Sequence, residues 1–102
     1  MLPKTKNNLK YAFAPKSVAV IGASRDPGKV GHVILQNYID EGYSGKIYPV
    51  NKNADSVMGL KSYKSILDIK KRIDLAVIAV PAPVVPSVLE ECGKAGARSA
   101  VV

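Results

Sequence analysis

The stretch that decides the fold is Ser17-Val-Ala-Val-Ile-Gly22-Ala-Ser-Arg-Asp-Pro-Gly28-Lys-Val-Gly31. Small and apolar residues run without a break to Gly22, which predicts a buried strand over Ser17–Gly22. A loop with proline and glycine follows, and an amphipathic segment begins at about Lys29. The start of a helix attracts anions, because its first N–H groups lack partners and its dipole adds about half a positive charge there. The stretch therefore predicts a nucleotide or phosphate site.

The segment after the loop predicts a helix over about residues 29–41, with Gly42 as the residue that ends it. Its apolar side chains recur at helical spacing and form one stripe. They are Val30, Ile34, Leu35, Tyr38 and Ile39.

Three further apolar runs predict strands at Lys46–Val50, Asp74–Val80 and Arg98–Val102. The second of these is continuous rather than alternating, as in a parallel strand that is covered on both faces. In the first, Pro49 predicts an interruption of the ladder or a strand end. Between the strands we expect a short extended piece at Val57–Leu60, a brief helix capped by Ser62 or Ser65 that reaches about Lys70, and a helix over about Val84–Gly93.

Strands alternate with helices along the whole chain, which predicts an α/β fold: a Rossmann-like, doubly wound parallel sheet with helices on both faces. The sequence stops on a strand, whose edge would be exposed. We therefore expect the sheet to continue and these residues to be a fragment or a part of a longer chain. Residues 1–13 are interpreted as a basic lead-in, with Tyr11 or Phe13 packed on a domain that covers residues 14–102.

The chain of 102 residues has 15 Lys and Arg against 8 Asp and Glu, a net charge of +7. A basic balance invites a nucleic-acid partner. However, the basic residues are scattered, and aromatic residues do not alternate with them as a platform for single strands requires. We interpret most of them as a solvated surface and expect no nucleic-acid partner.

The sequence contains no run of about 18 apolar residues, and its first residues lack the apolar core of a secretory signal. Its single cysteine, Cys92, cannot form an internal disulfide. These features predict a cytoplasmic protein with no membrane partner. Cys92 follows Val88 and Leu89 at helical spacing, so we interpret it as a small core residue rather than a nucleophile.

The residues at the end of each strand narrow the choice of ligand. The loop after Gly22 lacks the Gly-x-Gly-x-x-Gly fingerprint of dinucleotide sites. The second strand ends in Asn51-Lys52, where an NAD site would have an acidic residue for the ribose hydroxyls. A cation there suits a phosphate on the ribose, which leaves NADP or coenzyme A. The turn Val80–Pro83 ends the third strand at the same edge, so all three segments can converge on one site.

The combination of these segments, in this order, resembles the CoA-binding domain of NDP-forming acyl-CoA synthetases. The matching residues are Ser17-Val-Ala-Val-Ile-Gly-Ala-Ser-Arg, Gly28-Lys-Val-Gly31, Ile47-Tyr-Pro-Val-Asn51 and Asp74-Leu-Ala-Val-Ile-Ala-Val-Pro81-Ala-Pro83. The family includes the ADP-forming acetyl-CoA synthetases and is related to the succinyl-CoA synthetase alpha subunit. The resemblance covers about residues 11–102 and implies a Rossmann-like domain that binds coenzyme A or acyl-CoA.

The resemblance also implies roles for eight residues: three would face the phosphates of CoA (Gly22, Ser24 and Arg25), two the adenosine end (Asn51 and Lys52), and three the pantetheine (Val80, Pro81 and Ala82). Two neighbours of the loop, Ala23 and Lys29, are further candidate cofactor-binding residues. Lys52 would meet the 3′-phosphate. The alternative for Ser24 is a helix cap, and for Lys29 an exposed lysine. His32 is interpreted as a surface or ligand-rim histidine, and we predict no catalytic residue and no metal ligand in this chain.

The implied reaction converts acyl-CoA, phosphate and ADP into free acid, CoA and ATP through a phosphohistidine in a domain beyond Val102. The implied partners are the remaining domains or a second subunit of the ATP-grasp type, and a homo-oligomer is a further expectation. The alternatives are a stand-alone, non-catalytic CoA-binding protein and a fragment of an NADP-dependent oxidoreductase.

Overall fold

A computed structural model of the protein describes residues 15–102. Its strands are β1 (Ser17–Ile21), β2 (Lys46–Val50), β3 (Ser56–Val57), β4 (Leu60–Lys61), β5 (Leu75–Ile78) and β6 (Ser99–Val101). The helices are α1 (Val30–Asp40) and α2 (Val85–Ala95), and 3₁₀ turns cover Ile66–Asp68 and Ala82–Val84. The predicted lead-in at residues 1–13, with Tyr11 and Phe13, lies outside the described residues and stays a prediction.

Four of the strands form one parallel sheet in the order β2-β1-β5-β6. The chain leaves β1 through α1 to reach β2 on one side, and it reaches β5 on the other side of β1. The strand order therefore reverses between β1 and β5. Ligands of open α/β sheets bind at such a switch point, beyond the carboxyl ends of the strands.

The two faces of the sheet bury separate apolar clusters, because successive side chains of a strand point to opposite faces. Val18 and Val20 pack with Leu35 of α1 on one face, and all three are 0% exposed. Ala19 and Ile21 pack on the other face with Val88 and Cys92 of α2. Helices thus cover both faces, and the predicted α/β fold is confirmed.

The thiol of Cys92 belongs to the second of these clusters. It is free and buried, as predicted for a small core residue. Burial, with a smaller effect of the Glu91 carboxylate, raises the pKa of the thiol to about 11. The thiol is therefore protonated at neutral pH and is a poor nucleophile there.

Pro49 does not interrupt β2, so the first alternative, a broken ladder, is wrong, whereas the strand does end one residue later, at Val50. Val20 pairs with Pro49 and Ile21 with Val50. The carbonyl of Pro49 points away from β1, where it accepts a hydrogen bond from the N–H of Tyr63 at 3.0 Å. Because the two polar groups of a strand residue point to the same side, the missing N–H of Pro49 also lies outside the β1–β2 ladder.

The Val57–Leu60 segment is a hairpin rather than one extended piece. Met58 and Gly59 have φ angles of 52° and 80°, as a tight turn between antiparallel strands requires. A methionine at the first of these positions gives no turn signal, so the sequence did not predict the reversal. After the hairpin, Ser65 rather than Ser62 caps the next turn: its Oγ accepts a hydrogen bond from the N–H of Leu67 at 3.1 Å.

The remaining elements begin and end within two residues of their predicted bounds: β5 stops at Ile78 rather than Val80, and the 3₁₀ turn after Ser65 ends at Asp68 rather than Lys70. Gly42 follows the last turn of α1 as predicted, and its N–H donates to the carbonyl of Ile39 at 3.1 Å.

At the amino ends of the strands, the buried carboxylate of Asp74 links β1 to β5. Its Oδ2 accepts the backbone N–H of Lys16 at 2.8 Å, and its Oδ1 lies 3.3 Å from Nε of Arg72. The N–H of Asp74 donates to Oγ of Ser17 at 2.9 Å. These bonds join the amino ends of β1 and β5, which leaves their carboxyl ends for the site.

Candidate functional site: a cleft at the carboxyl ends of the strands

A cleft of about 770 Å³ opens where β1, β2 and β5 end. Eight of the ten predicted site residues line it. They are Gly22, Ala23, Ser24, Lys29, Asn51, Lys52, Val80 and Pro81. The convergence of three strand ends, which the sequence predicted, is therefore present in the fold.

Two glycines let the β1 loop and the start of α1 pack tightly at the cleft. Gly22 has a φ of +95°, and a Cβ on it would lie 2.3 Å from the carbonyl oxygen of Ala79. A Cβ on Gly31 would lie 1.8 Å from the carbonyl oxygen of Gly22. No larger residue fits at either position without a backbone shift, so the glycines bring strand, loop and helix into direct contact.

The amino end of α1 has no side-chain cap. Lys29 is the N-cap residue, its side chain makes no capping hydrogen bond, and no acidic residue occupies the first turn. Lys29 and Gly31 both line the cleft. The positive end of the helix dipole therefore faces a cavity that is open to an anion.

Hydrogen bonds within the loop hold it in shape. Ser24 Oγ accepts the N–H of Asp26 at 3.0 Å, and Oδ1 of Asp26 accepts the N–H of Gly28 at 2.9 Å. Nδ1 of His32 donates to the carbonyl of Ser24 at 2.8 Å. The alternative role of Ser24 as the cap of α1 is thus wrong, and half-buried His32 supports the loop from the first turn of the helix.

Asn51 joins the loops that follow β1 and β2. Its Nδ2 donates to the carbonyl of Ala23 at 2.8 Å, while its Oδ1 accepts the N–H of Asn53 at 2.7 Å. A carboxylate could accept the second hydrogen bond but could not donate the first. This geometry explains why an amide occupies the place where an NAD site has an acid.

Two predicted site residues do not line the cleft. Arg25 is exposed, and its Nε donates to the carbonyl of Ser56 on the β3–β4 hairpin at 3.0 Å. Ala82 is exposed in the 3₁₀ turn that precedes α2. Arg25 therefore connects the loop after β1 to the hairpin.

Within residues 15–102, no helix has the length and apolar character needed to cross a membrane. Over the same residues, no three side chains among His, Cys, Asp and Glu come together in a group that could hold a metal ion.

The comparison with known families agrees with this geometry. The sequence profile of the CoA binding domain family matches residues 16–102, which include every segment of the cleft. This chain belongs to that family.

The CoA-binding domain is similar to parts of larger ligases. An ADP-forming acetate–CoA ligase of Methanocaldococcus jannaschii is 57% identical over 94 residues, which cover 92% of this chain and 13% of that protein. The alpha subunit of ADP-forming acetate–CoA ligase I of Pyrococcus furiosus is 53% identical over 95 residues, which cover 89% of this chain and 21% of the subunit.

A solved structure shows the same arrangement of elements. The acetyl-coenzyme A synthetase 1 of Ca. Korarchaeum cryptofilum, determined with phosphate and ADP, matches the CoA-binding domain with a TM-score of 0.91 and 48% identity. The match covers 94% of this chain and 21% of that one. This domain thus spans 13% to 21% of the length of these relatives.

The cleft of the CoA-binding domain is also lined by residues that the sequence did not single out, among them Lys64, Ser87 and Glu91. Lys64 is one of the scattered lysines interpreted as a solvated surface. It reaches the cleft because the adjacent Tyr63 forms a bridge with Val50 at the end of β2. Ser87 and Glu91 lie four residues apart on α2, so helical spacing alone could have placed them on one face.

Proposed function

We propose that the cleft binds coenzyme A and that this domain supplies the CoA site of an ADP-forming acyl-CoA synthetase. The observation that supports this most strongly is the concentration of positive charge in one cleft at the switch point of the sheet. It combines an uncapped helix terminus with the ammonium groups of Lys29, Lys52 and Lys64. Among residues 15–102, no hydrogen bond or ion pair engages these three groups. A polyanionic ligand would provide their partners.

The pyrophosphate of CoA is assigned to the loop after β1 and the first turn of α1. The backbone N–H groups at the start of the helix and the ammonium of Lys29 donate to its oxygens. The hydroxyl proton of Ser24 is a further donor, because the Ser24 oxygen already accepts the N–H of Asp26. Arg25 acts from outside the cleft by fixing the loop to Ser56.

The adenosine end is assigned to the carboxyl end of β2. Lys52 is exposed at the rim and binds the 3′-phosphate, while Asn51 fixes the loop that carries it. Coenzyme A and NADP both carry a phosphate on the adenine ribose, but at different positions. Membership of the CoA binding domain family favours CoA.

The pantetheine arm is assigned to the apolar wall at the end of β5. Val80 and Pro81 line the cleft there. Ala82 begins the adjoining 3₁₀ turn and would meet the arm as it leaves the cleft.

The complete reaction requires more protein than this domain. We infer that it serves the reversible conversion of acyl-CoA, phosphate and ADP into acid, CoA and ATP, with the phosphohistidine and an ATP-grasp partner in other domains or subunits. Support comes from ligase relatives of which the domain is a small part. We also infer a cytoplasmic location, which the reduced, buried Cys92 favours, and self-association of the domain through the exposed edge of β6.

Calorimetric titration of the 102-residue chain with CoA, dephospho-CoA and NADP tests the proposed ligand. We expect CoA to bind about tenfold more tightly than dephospho-CoA, because one desolvated charge pair is worth roughly 1 to 2 kcal/mol. Lys52→Ala should abolish this difference. Lys71→Ala removes the same charge from an exposed site outside the cleft and should preserve it. Equal or tighter binding of NADP would contradict the proposal.

A further inference from the structure

One hydrogen bond holds a carboxylate in the cleft. Oγ of Ser65 donates to Oε1 of Glu91 at 2.7 Å. The same oxygen of Ser65 accepts the N–H of Leu67 at 3.1 Å, so the backbone fixes the serine. Glu91 is half-buried on α2 and lines the cleft. Its carboxylate is therefore held in one orientation.

The second oxygen of this carboxylate has no partner. Oε2 of Glu91 forms no hydrogen bond or ion pair with any residue between 15 and 102. The lysines of the cleft do not neutralise it either. A carboxylate only accepts hydrogen bonds, so Oε2 is available to an N–H or O–H donor of a ligand in the cleft.

A phosphate cannot be that donor, since its oxygens carry the same charge as Glu91. The position of the residue agrees with this. Glu91 lies four residues beyond Ser87, or about 6 Å farther along α2 from its amino end. That end follows the turn after Val80, which packs at Gly22. The phosphates are thus assigned to one end of the cleft and the carboxylate to another.

The wall between these two ends is apolar. Ile21, Val50 and Val88 line it, and Lys64 stands at the rim beside Ser65. An apolar wall that ends in a hydrogen-bond acceptor suits an aromatic base with an amino group on its edge. Adenine is the only such group in coenzyme A.

We propose that Glu91, positioned by Ser65, accepts a hydrogen bond from the 6-amino group of adenine and makes the cleft selective for this base. The inference rests on the proposed function, because it assumes that coenzyme A occupies the cleft. It adds a specificity-determining residue on α2. A base with a carbonyl at position 6 would place an acceptor against the carboxylate and leave both groups unsatisfied.

A comparison of coenzyme A with its deaminated analogue, which carries hypoxanthine in place of adenine, tests this selectivity without any mutation. Calorimetric titration of the 102-residue chain should give a dissociation constant for CoA that is at least about tenfold lower than that for the analogue. Equal affinities would overturn the proposal while leaving the CoA site intact. Absence of CoA binding would instead overturn the proposed function, and this inference with it.

The variant Glu91→Gln tests the residue itself. The amide oxygen can still accept from Ser65, and the amide nitrogen then faces the base as a donor. We expect weaker binding of CoA and a preference for the hypoxanthine analogue. The ratio of the two affinities is measured on one sample, so it does not depend on the fraction of protein that is folded.

Glu90→Gln is the matched control. Glu90 is the neighbouring residue on α2, but it is exposed and pairs with Lys94 at 3.5 Å outside the cleft. Removing this charge should leave the preference for CoA unchanged. The assignment to adenine would be overturned if Glu91→Gln weakened the binding of both ligands equally. It would also be overturned if Glu90→Gln changed the ratio of the two affinities as much as Glu91→Gln does.

Discussion

The side chain of Asn51 donates to the carbonyl of Ala23, which lies 28 residues earlier in the chain, and so connects the loops after β1 and β2. Its amide acts as donor and acceptor at once, and only an amide of this length can do both here. Asn51, whose amide argued against an NAD site, is therefore also a structural link between two loops. At the scale of single residues, the cleft depends on such links as much as on the groups that face the ligand.

Asn51→Asp should destabilise the fold and weaken CoA binding. The variant places a carboxylate oxygen against the carbonyl of Ala23 and removes its donor, which costs about 1 to 3 kcal/mol. Urea denaturation monitored by circular dichroism measures the loss. Asn53→Asp introduces the same charge next to the same cleft, but no hydrogen bond of its side chain is lost among the described residues. An equal loss of stability in both variants would contradict the role of Asn51.

The thiol of Cys92 makes stability depend on pH in the alkaline range. Burial raises its pKa from 9.0 to about 11. The folded state therefore holds the proton more tightly than the unfolded state. This contribution is complete below pH 9 and is lost as the pH rises toward 11. The free energy of unfolding should fall more between pH 8 and 10.5 in the wild-type chain than in Cys92→Ala, and equal declines would contradict the assignment.

At the scale of elements, the contact between β1 and α1 shapes the proposed phosphate site. The helix approaches the strand so closely that the carbonyl of Gly22 occupies the space where a side chain of Gly31 would begin. The two elements cannot separate without moving the loop between them. The position of the uncapped helix terminus is thus determined by packing of backbone against backbone.

Gly31→Ala should reduce both stability and CoA affinity. Alanine normally favours a helix over glycine by about 1 kcal/mol. Here its Cβ would lie 1.8 Å from the Gly22 oxygen, so the backbone must shift. We expect a net loss of about 1 to 3 kcal/mol and at least tenfold weaker binding.

The matched control is Gly93→Ala in α2, where an added Cβ meets no atom within 4 Å. This variant should be neutral or stabilised by up to about 1 kcal/mol. Thermal melting and calorimetric titration report the two properties. A Gly31→Ala protein that behaves like the control would contradict the close-packing argument.

At the scale of the whole molecule, the order of the strands determines where the cleft lies. Since α1 and α2 pack on opposite faces of the sheet, the cleft at the carboxyl ends of β1 and β5 opens between them. The net charge of +7 adds a field that attracts anions. Scattered lysines that have no individual role can therefore still favour an anionic ligand over a neutral one.

Binding of CoA should weaken as salt is added, by about tenfold between roughly 0.05 and 0.5 M NaCl. The dependence should be smaller for dephospho-CoA, which has a lower charge. Titrations at several salt concentrations measure both slopes. Lys52→Ala should reduce the CoA slope to that of dephospho-CoA, and a slope that stays unchanged would show that Lys52 does not meet the 3′-phosphate.

The sequence by itself determined the parts of this protein that depend on neighbouring residues. Continuous apolar runs and helical spacing predicted the four parallel strands and both helices. Glycine, proline and the Asn51–Lys52 turn predicted which strand ends meet at the cleft. Contacts between distant residues were decided only by tertiary structure. Tyr63 brings Lys64 to the end of β2, and Ser65 fixes Glu91 of α2. Neither pairing leaves a local pattern, because a hydrogen bond between separate elements depends on how they pack.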